Sequence, residues 1–247
     1  MTEFVVVIPA RYASTRLPGK PLLDLNGKPM IQHAYERGVE SGAAEVVVAT
    51  DDKRIADAAE SFGATVCMTA EGHQSGTERI AEVADLRDWD DAQVVVNLQG
   101  DEPSMPGILI KQCAKLLTDA AADISTLASP FLTRKDLESP NCVKVIRNLN
   151  NHAIYFSRSV IPHARESGQD ELAMRAALHH HGIYAYRCGV LRQLVAAEPS
   201  SLEVSEQLEQ LRALSLGMTI VVGIPSERPG IGVDTAEDLL RAATELS

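Results

Sequence analysis

Three fixed positive charges, Arg11, Arg16 and Lys20, fall within ten residues of one another, directly after the apolar run Val5-Val6-Val7-Ile8. The run predicts a buried first strand. Pro9, Pro18 and Pro21 stiffen the loop it delivers, so that backbone N–H groups can face an anion. A polyphosphate is the natural guest of such a loop. The spacing is neither that of a Walker loop nor that of a dinucleotide fingerprint, since no Gly-x-x-x-x-Gly-Lys and no Gly-x-Gly-x-x-Gly follows the strand.

A second apolar run, Val94 to Leu98, leads straight into Gln99-Gly100-Asp101-Glu102-Pro103. An acid at the end of a buried strand, facing a cationic loop, suits Mg²⁺, a hard ion commonly held by one or two carboxylates together with phosphate oxygens. Asp101 is therefore the first candidate metal ligand. Asp234 is the second, because Gly230 and Gly232 just before it would let its loop fold over the strand tips. Read alone, that segment equally fits an ordinary helix N-cap at Asp234 or Thr235, with Asp238 completing a capping box. Ser75, Gly76 and Thr77 open a helix with exposed N–H and hydroxyl groups that suit a base edge or a phosphate, and Arg79 adds charge. Thr50-Asp51 ends another strand in an equivalent position.

His179-His180-His181 does not make a zinc site, because consecutive strand residues point to alternating faces and no cysteine lies at a finger spacing. One of the three hydrogen-bonding a polar ligand is the better reading. Glu209 and Gln210 lie across a helix from the apolar stripe Leu208, Leu211 and Leu214, either toward a cleft or toward solvent. No Ser-His-Asp order, nucleophile elbow or His-Glu-x-x-His is found, so covalent catalysis is not indicated. A basic loop and a glycine-flanked acid pair specify phosphoryl or nucleotidyl transfer, in which positioning and charge neutralisation supply most of the rate.

The elements that must position these groups alternate regularly through the first half. Apolar runs at Val46 to Ala49, Thr65 to Met68 and Val94 to Leu98 predict strands. Helical periodicity at Pro29 to Ser41, around Ile55 to Phe62, at Gly76 to Ala84 and after Pro106 separates them. Strands without alternation between amphipathic helices mean a mostly parallel α/β sheet with helices on both faces, and ligands in such sheets sit beyond the carboxyl ends of the strands. The rhythm breaks after Ala128. Residues 1–130 read as the nucleotide-binding part of one domain, 131–187 as an inserted subdomain, and 188–247 as the return to the main body. A strand is expected at Gly182 to Arg187 and a single helix at Ser205 to Leu216.

The formal charge of −11 on 247 residues argues against a nucleic-acid partner, which needs basic faces. No apolar segment is long enough for a membrane span and the opening residues do not read as a signal peptide, so a soluble cytoplasmic protein is expected. Cys67, Cys113, Cys142 and Cys188 are far apart and read as reduced packing residues.

Ile8 to Leu22, Ala49-Thr50-Asp51, His73 to Arg79, Val96 to Pro103, Tyr155 to Arg158, His180 to Tyr184, Leu208 to Arg212 and Gly232 to Thr235 together resemble the 3-deoxy-D-manno-octulosonate (Kdo) cytidylyltransferases, in order and over nearly the whole chain. The resemblance implies a Rossmann-like nucleotidyltransferase fold that joins CMP from CTP to Kdo, with Mg²⁺, for lipopolysaccharide synthesis. It implies CTP contacts from Pro9, Ala10, Arg11, Lys20, Thr50, Asp51, Ser75, Gly76, Arg79 and Asp101, and metal binding by Asp101 and Asp234. Kdo contacts are implied for Gln99, His180, Tyr184, Glu209 and Gln210, with Arg16 and Arg158 as additions. The inserted region is expected to support a homodimer. A related sugar acid, amino-substituted Kdo or a sialic acid, is the alternative substrate.

Overall fold

The computed structural model describes residues 3–13, 17–166 and 169–246. The chain runs β1 (Phe4–Ala10), β2 (Asp24–Leu25), β3 (Lys28–Pro29), α1 (Met30–Glu40), β4 (Glu45–Thr50), α2 (Lys53–Ser61), β5 (Thr65–Met68), α3 (Gly76–Leu86), β6 (Val94–Asn97), α4 (Gly107–Asp119) and β7 (Ile124–Pro130). It continues with α5 (Arg134–Glu138), β8 (Lys144–Arg147), β9 (Ala153–Ser157), α6 (Asp170–Ala176), β10 (Leu178–Arg187), α7 (Cys188–Ala196), α8 (Ser201–Glu206), α9 (Gln210–Ser215), β11 (Ile220–Gly223) and α10 (Ala236–Glu245).

The main sheet has the order β11-β7-β10-β6-β1-β4-β5. Every adjacent pair is parallel except those made by β10, which lies antiparallel between β7 and β6. This is the mostly parallel α/β arrangement that the apolar runs call for, with one reversed strand inside it. Period-two alternation sends Val5 and Val7 to one face, and Phe4, Val6, Ile8 and Ala10 to the other. The first face is covered by α3, α7 and α9 through Ile80, Leu191 and Leu211. The second is covered by α1, α2 and α4 through Ile31, Ile55 and Leu109. Each of these fully buried aliphatic side chains contributes about 1.5–3 kcal/mol.

Two expectations need correction. The inserted segment ends earlier than residue 187, because Leu178–Arg187 is one strand whose second half pairs with Val94–Asn97 in the middle of the sheet. Only α5, α6 and their loops leave the sheet, while the β8–β9 hairpin branches from it by pairing β8 antiparallel with the first residues of β10, Leu178 with Val145 and His179 with Lys144. The single helix expected at Ser205 to Leu216 is broken into α8 and α9, because Gln207 adopts left-handed backbone at φ 53°. Among the described residues no helix is long and apolar enough to cross a membrane. Cys67, Cys113 and Cys188 are buried and unpaired, with their thiols pushed up by burial.

Candidate active site

The carboxyl ends of β1 and β6 open into a cavity of about 580 Å³. Its wall includes Pro9, Ala10 and Arg11 from the end of β1, Lys20, Ser75, Gly76 and Arg79 from the start of α3, Gln99, Gly100 and Asp101 from the end of β6, and Asp234. Gly100 is required by proximity: a Cβ there would lie 3.1 Å from the Pro9 carbonyl oxygen. Gly19 sits in left-handed backbone at φ 67°, and its N–H donates to the Tyr12 carbonyl, folding the cationic loop back on itself.

Lys20 joins the two acids. Its Nζ donates to Asp101 Oδ2 at 2.7 Å, to the Val233 carbonyl at 2.8 Å and to Asp234 Oδ1 at 3.2 Å. The N-cap of α10 is Thr235, which makes a reciprocal capping box with Asp238, so Asp234 is left out of the cap and its carboxylate turns to Lys20. The Asp234 loop is laid on the Asp101 turn by the Val233 N–H, which donates to the Asp101 carbonyl at 2.8 Å. Glu102 lies beneath: burial, then the charges of Asp101 and Asp234, push its carboxyl up to about 8.

One ammonium bonded to two carboxylates and a carbonyl marks a place for a small hard cation. Among the described residues no group of three or more histidine, cysteine or acidic side chains is arranged to hold a metal ion. A pair of aspartates is nevertheless the donor set that Mg²⁺ uses when phosphate and water oxygens complete its shell, and Asp101 and Asp234 fit it.

A smaller cavity of about 60 Å³ adjoins the first through Gln99, and is lined by Thr77, Asn97, Tyr184, Tyr186, Glu209 and Gln210 among others. Ser75 Oγ and Thr77 Oγ1 donate to the two oxygens of Glu209 at 2.9 and 2.6 Å, while burial pushes that carboxyl up. The Tyr184 hydroxyl is buried and has no hydrogen-bond partner among the described residues.

Several expected residues stand elsewhere. Thr50 is buried behind the rim, where its hydroxyl accepts from the Asp52 N–H. Asp51 pairs with Arg79 Nη2 at 2.8 Å, so it holds a wall residue instead of forming the wall. Arg158 belongs to neither cavity, because its guanidinium donates to the carbonyls of Pro140, Glu206 and Gln207. His180 also lies outside both walls: it packs on Phe156 and Tyr184, with Nε2 3.2 Å from Thr126 Oγ1. Arg16 lies outside the described residues. Asn97 and Tyr186 are not singled out by the sequence reading, and Thr77 enters it only as part of a helix start. The signal for the first two is parity, since Asn97 with Gln99 and Tyr184 with Tyr186 repeat at the strand period of two.

A family model described as cytidylyltransferase matches residues 5–220. The 3-deoxy-manno-octulosonate cytidylyltransferase of Haemophilus ducreyi is 48% identical over 249 residues, covering 99% of this chain and 98% of the relative. The chain belongs to the 3-deoxy-manno-octulosonate cytidylyltransferase family. A solved structure of CMP:2-keto-3-deoxy-manno-octonic acid synthetase complexed with CTP superposes with a TM-score of 0.90 at 41% identity, covering 99% of this chain and 98% of the other. A 4-diphosphocytidyl-2C-methyl-D-erythritol synthase from Anaerococcus prevotii shares the fold alone, with a TM-score of 0.63 at 12% identity over 99% of this chain and 98% of that one. Against the cytidylyltransferase frame, the cationic β1 loop and the Asp101 turn occupy one rim, at the strand ends where a doubly covered parallel sheet presents its ligands.

Proposed function

We propose that this cytidylyltransferase transfers CMP from CTP to the anomeric hydroxyl of Kdo, releasing pyrophosphate, with Mg²⁺ held by Asp101 and Asp234. The observation that carries the reading is the convergence of those two carboxylates, from distant parts of the chain, on Lys20 Nζ at the rim of the larger cavity.

Arg11 and Lys20 grip the triphosphate. The cytosine and ribose lie against Ala10, Ser75 and Gly76, with Arg79 held to the wall by Asp51. The smaller cavity takes the sugar acid against Gln99, Tyr184, Glu209 and Gln210, which sets its hydroxyl beside the α-phosphorus. That hydroxyl attacks in line; a new P–O bond forms, and the bond to pyrophosphate breaks on the opposite side. Bound at Asp101 and Asp234, Mg²⁺ supplies Lewis-acid neutralisation of the developing phosphate charge and eases loss of the hydroxyl proton. Lys20 neutralises both aspartates when no ligand is bound, and a bound triphosphate redirects its charge to phosphate oxygens.

A homodimer formed through the inserted region, a cytoplasmic setting and a supply role in lipopolysaccharide synthesis complete the proposal. The exposed apolar side chains Leu132, Leu149, Ile154 and Leu172 of that region support the pairing. Sedimentation of the purified chain at twice its monomer mass is the expected result.

The deciding experiment measures pyrophosphate release with CTP, UTP and GTP against Kdo, amino-substituted Kdo and sialic acid, with and without Mg²⁺. CTP with Kdo and Mg²⁺ is expected to dominate. Asp101→Asn is expected to lower kcat by about a hundredfold or more, as for a group acting on transition-state charge. Normal turnover by that variant would overturn the metal assignment.

A further inference from the structure

The smaller cavity contains a carboxylate fixed from outside the cavity's own helix. Glu209 precedes α9, yet both its oxygens are held by hydroxyls of a different element, Ser75 and Thr77 at the start of α3. Ser75 has a local duty as well: it is the N-cap of α3 and accepts from the Glu78 N–H. Thr77 has no capping duty. It is 2% exposed, and its hydroxyl donates to Glu209 Oε2 at 2.6 Å. Each carboxylate oxygen accepts one bond in this way and keeps capacity for another.

The rest of the cavity complements that spare capacity. Tyr184 presents a buried hydroxyl with no hydrogen-bond partner among the described residues, and Gln210 and Gln99 bring amide groups to the same wall. Acceptors on one side, with a waiting hydroxyl and amides around them, suit a polyhydroxylated ligand. The first turn of α3 also walls the larger cavity through Ser75 and Gly76, so one short segment meets both volumes. Burial pushes the Glu209 carboxyl up, and the hydrogen bonds from Thr77 and Ser75 oppose that shift.

We propose that Thr77 is a positioning residue: its hydroxyl fixes the Glu209 carboxylate toward the hydroxyls of the sugar acid and ties the sugar cavity to the helix start that borders the nucleotide. The inference rests on the cytidylyltransferase reading above and adds to it a residue that sets sugar recognition without touching the reacting atoms. Its specific consequence is a change confined to the sugar substrate.

Steady-state pyrophosphate release by the full chain, varying Kdo and CTP separately, tests it. Thr77→Val keeps the shape and removes the hydroxyl, leaving a buried acceptor with a missing partner. KM for Kdo is expected to rise about tenfold while KM for CTP stays within about twofold. Thr77→Ser, which restores the hydroxyl, is expected to return KM for Kdo to within about twofold of wild type. Glu209→Gln combined with Thr77→Val is expected to be no worse than Glu209→Gln alone, because both changes break one interaction. Unchanged KM for Kdo in Thr77→Val, equal rises in both KM values, or fully multiplicative effects in the double variant would each overturn the inference. Thermal melting of each variant accompanies the kinetics, and Thr77→Ala, which removes the same hydroxyl without a new methyl contact, serves if Thr77→Val does not fold. A wild-type protein that releases no pyrophosphate with Kdo defeats the function reading itself. A wild type that turns over Kdo beside an unaltered Thr77→Val defeats this inference alone.

Discussion

The larger cavity, proposed as the nucleotide side of the cleft, and the smaller one, proposed as its sugar side, are built from opposite strand arrangements. On the nucleotide side, β1 and β6 are parallel and both stop at the same rim, so Arg11 and Asp101 need only follow their strands to meet. On the sugar side, Tyr184 and Tyr186 come from within β10, which is antiparallel to both neighbours, and Glu209 comes from a turn between two short helices. A parallel sheet collects its chemistry at strand ends. An antiparallel strand distributes it by face, and the face depends on register.

The largest test of that contrast lies at the loop carrying Asp234. It reaches the Asp101 turn only because its glycines lack side chains: a Cβ on Gly230 would stand 2.1 Å from the Ser104 carbonyl oxygen. Gly230→Ala must lift the loop away from that backbone, and a displacement of about 1 Å in a positioned group costs about a hundredfold in rate. Turnover is expected to fall by that order with KM for Kdo nearly unchanged. A larger loss in sugar affinity than in turnover would show that the two sides are not mechanically separate.

The contrast also explains what the sequence disclosed. Apolar runs without alternation mark β1, β4, β5 and β6 within two residues at each end, and the polar residues immediately after two of them lead to the main cavity. Arg158 shows where such reading stops. It follows an apolar strand as Asp101 nearly does, but β9 is an antiparallel edge strand on the hairpin, and the side chain ends among backbone carbonyls instead of ligand. The break at Gln207 was invisible for a related reason. The spacing of Leu208, Leu211 and Leu214 suits a helix, and nothing in it marks the left-handed residue just before Leu208, which packs into the core. Asp51 stands at a strand end as the apolar run implies, and its pairing with Arg79 could not be read locally, because Arg79 lies on a helix whose orientation the sequence does not encode.

Arg158 supplies the intermediate test. Three carbonyl oxygens accept from its guanidinium, and the backbone N–H of the same residue donates to Glu206 Oε2 at 2.9 Å. Arg158→Gln removes the charge-assisted bonds and is expected to lower unfolding stability by about 2 kcal/mol, read by urea titration, with KM for Kdo within about twofold. A tenfold rise in KM at unchanged stability would return Arg158 to the sugar site and weaken the distinction between strand ends and hairpin.

A further effect is expected from acid, and it belongs to the antiparallel side alone. Burial, reinforced by the charges of its two neighbours, pushes His180 down to about 3, and burial with His179 pushes His181 down to about 4. Both rings are therefore neutral in the folded chain, whereas unfolded histidines titrate near 6.5. The unfolded state binds more protons below that value, so the contribution to stability is complete above pH 6.5 and declines as pH falls toward the folded values. Each histidine lowers stability by at most about 1.4 kcal/mol per pH unit through that window. Urea unfolding between pH 7 and 5 is expected to show the decline in wild type and a shallower one in His180→Gln, whose amide does not titrate. Identical slopes would mean that His180 is free to protonate in the folded chain. The strand would then have to tolerate a charge between Phe156 and Tyr184, the two rings it packs against.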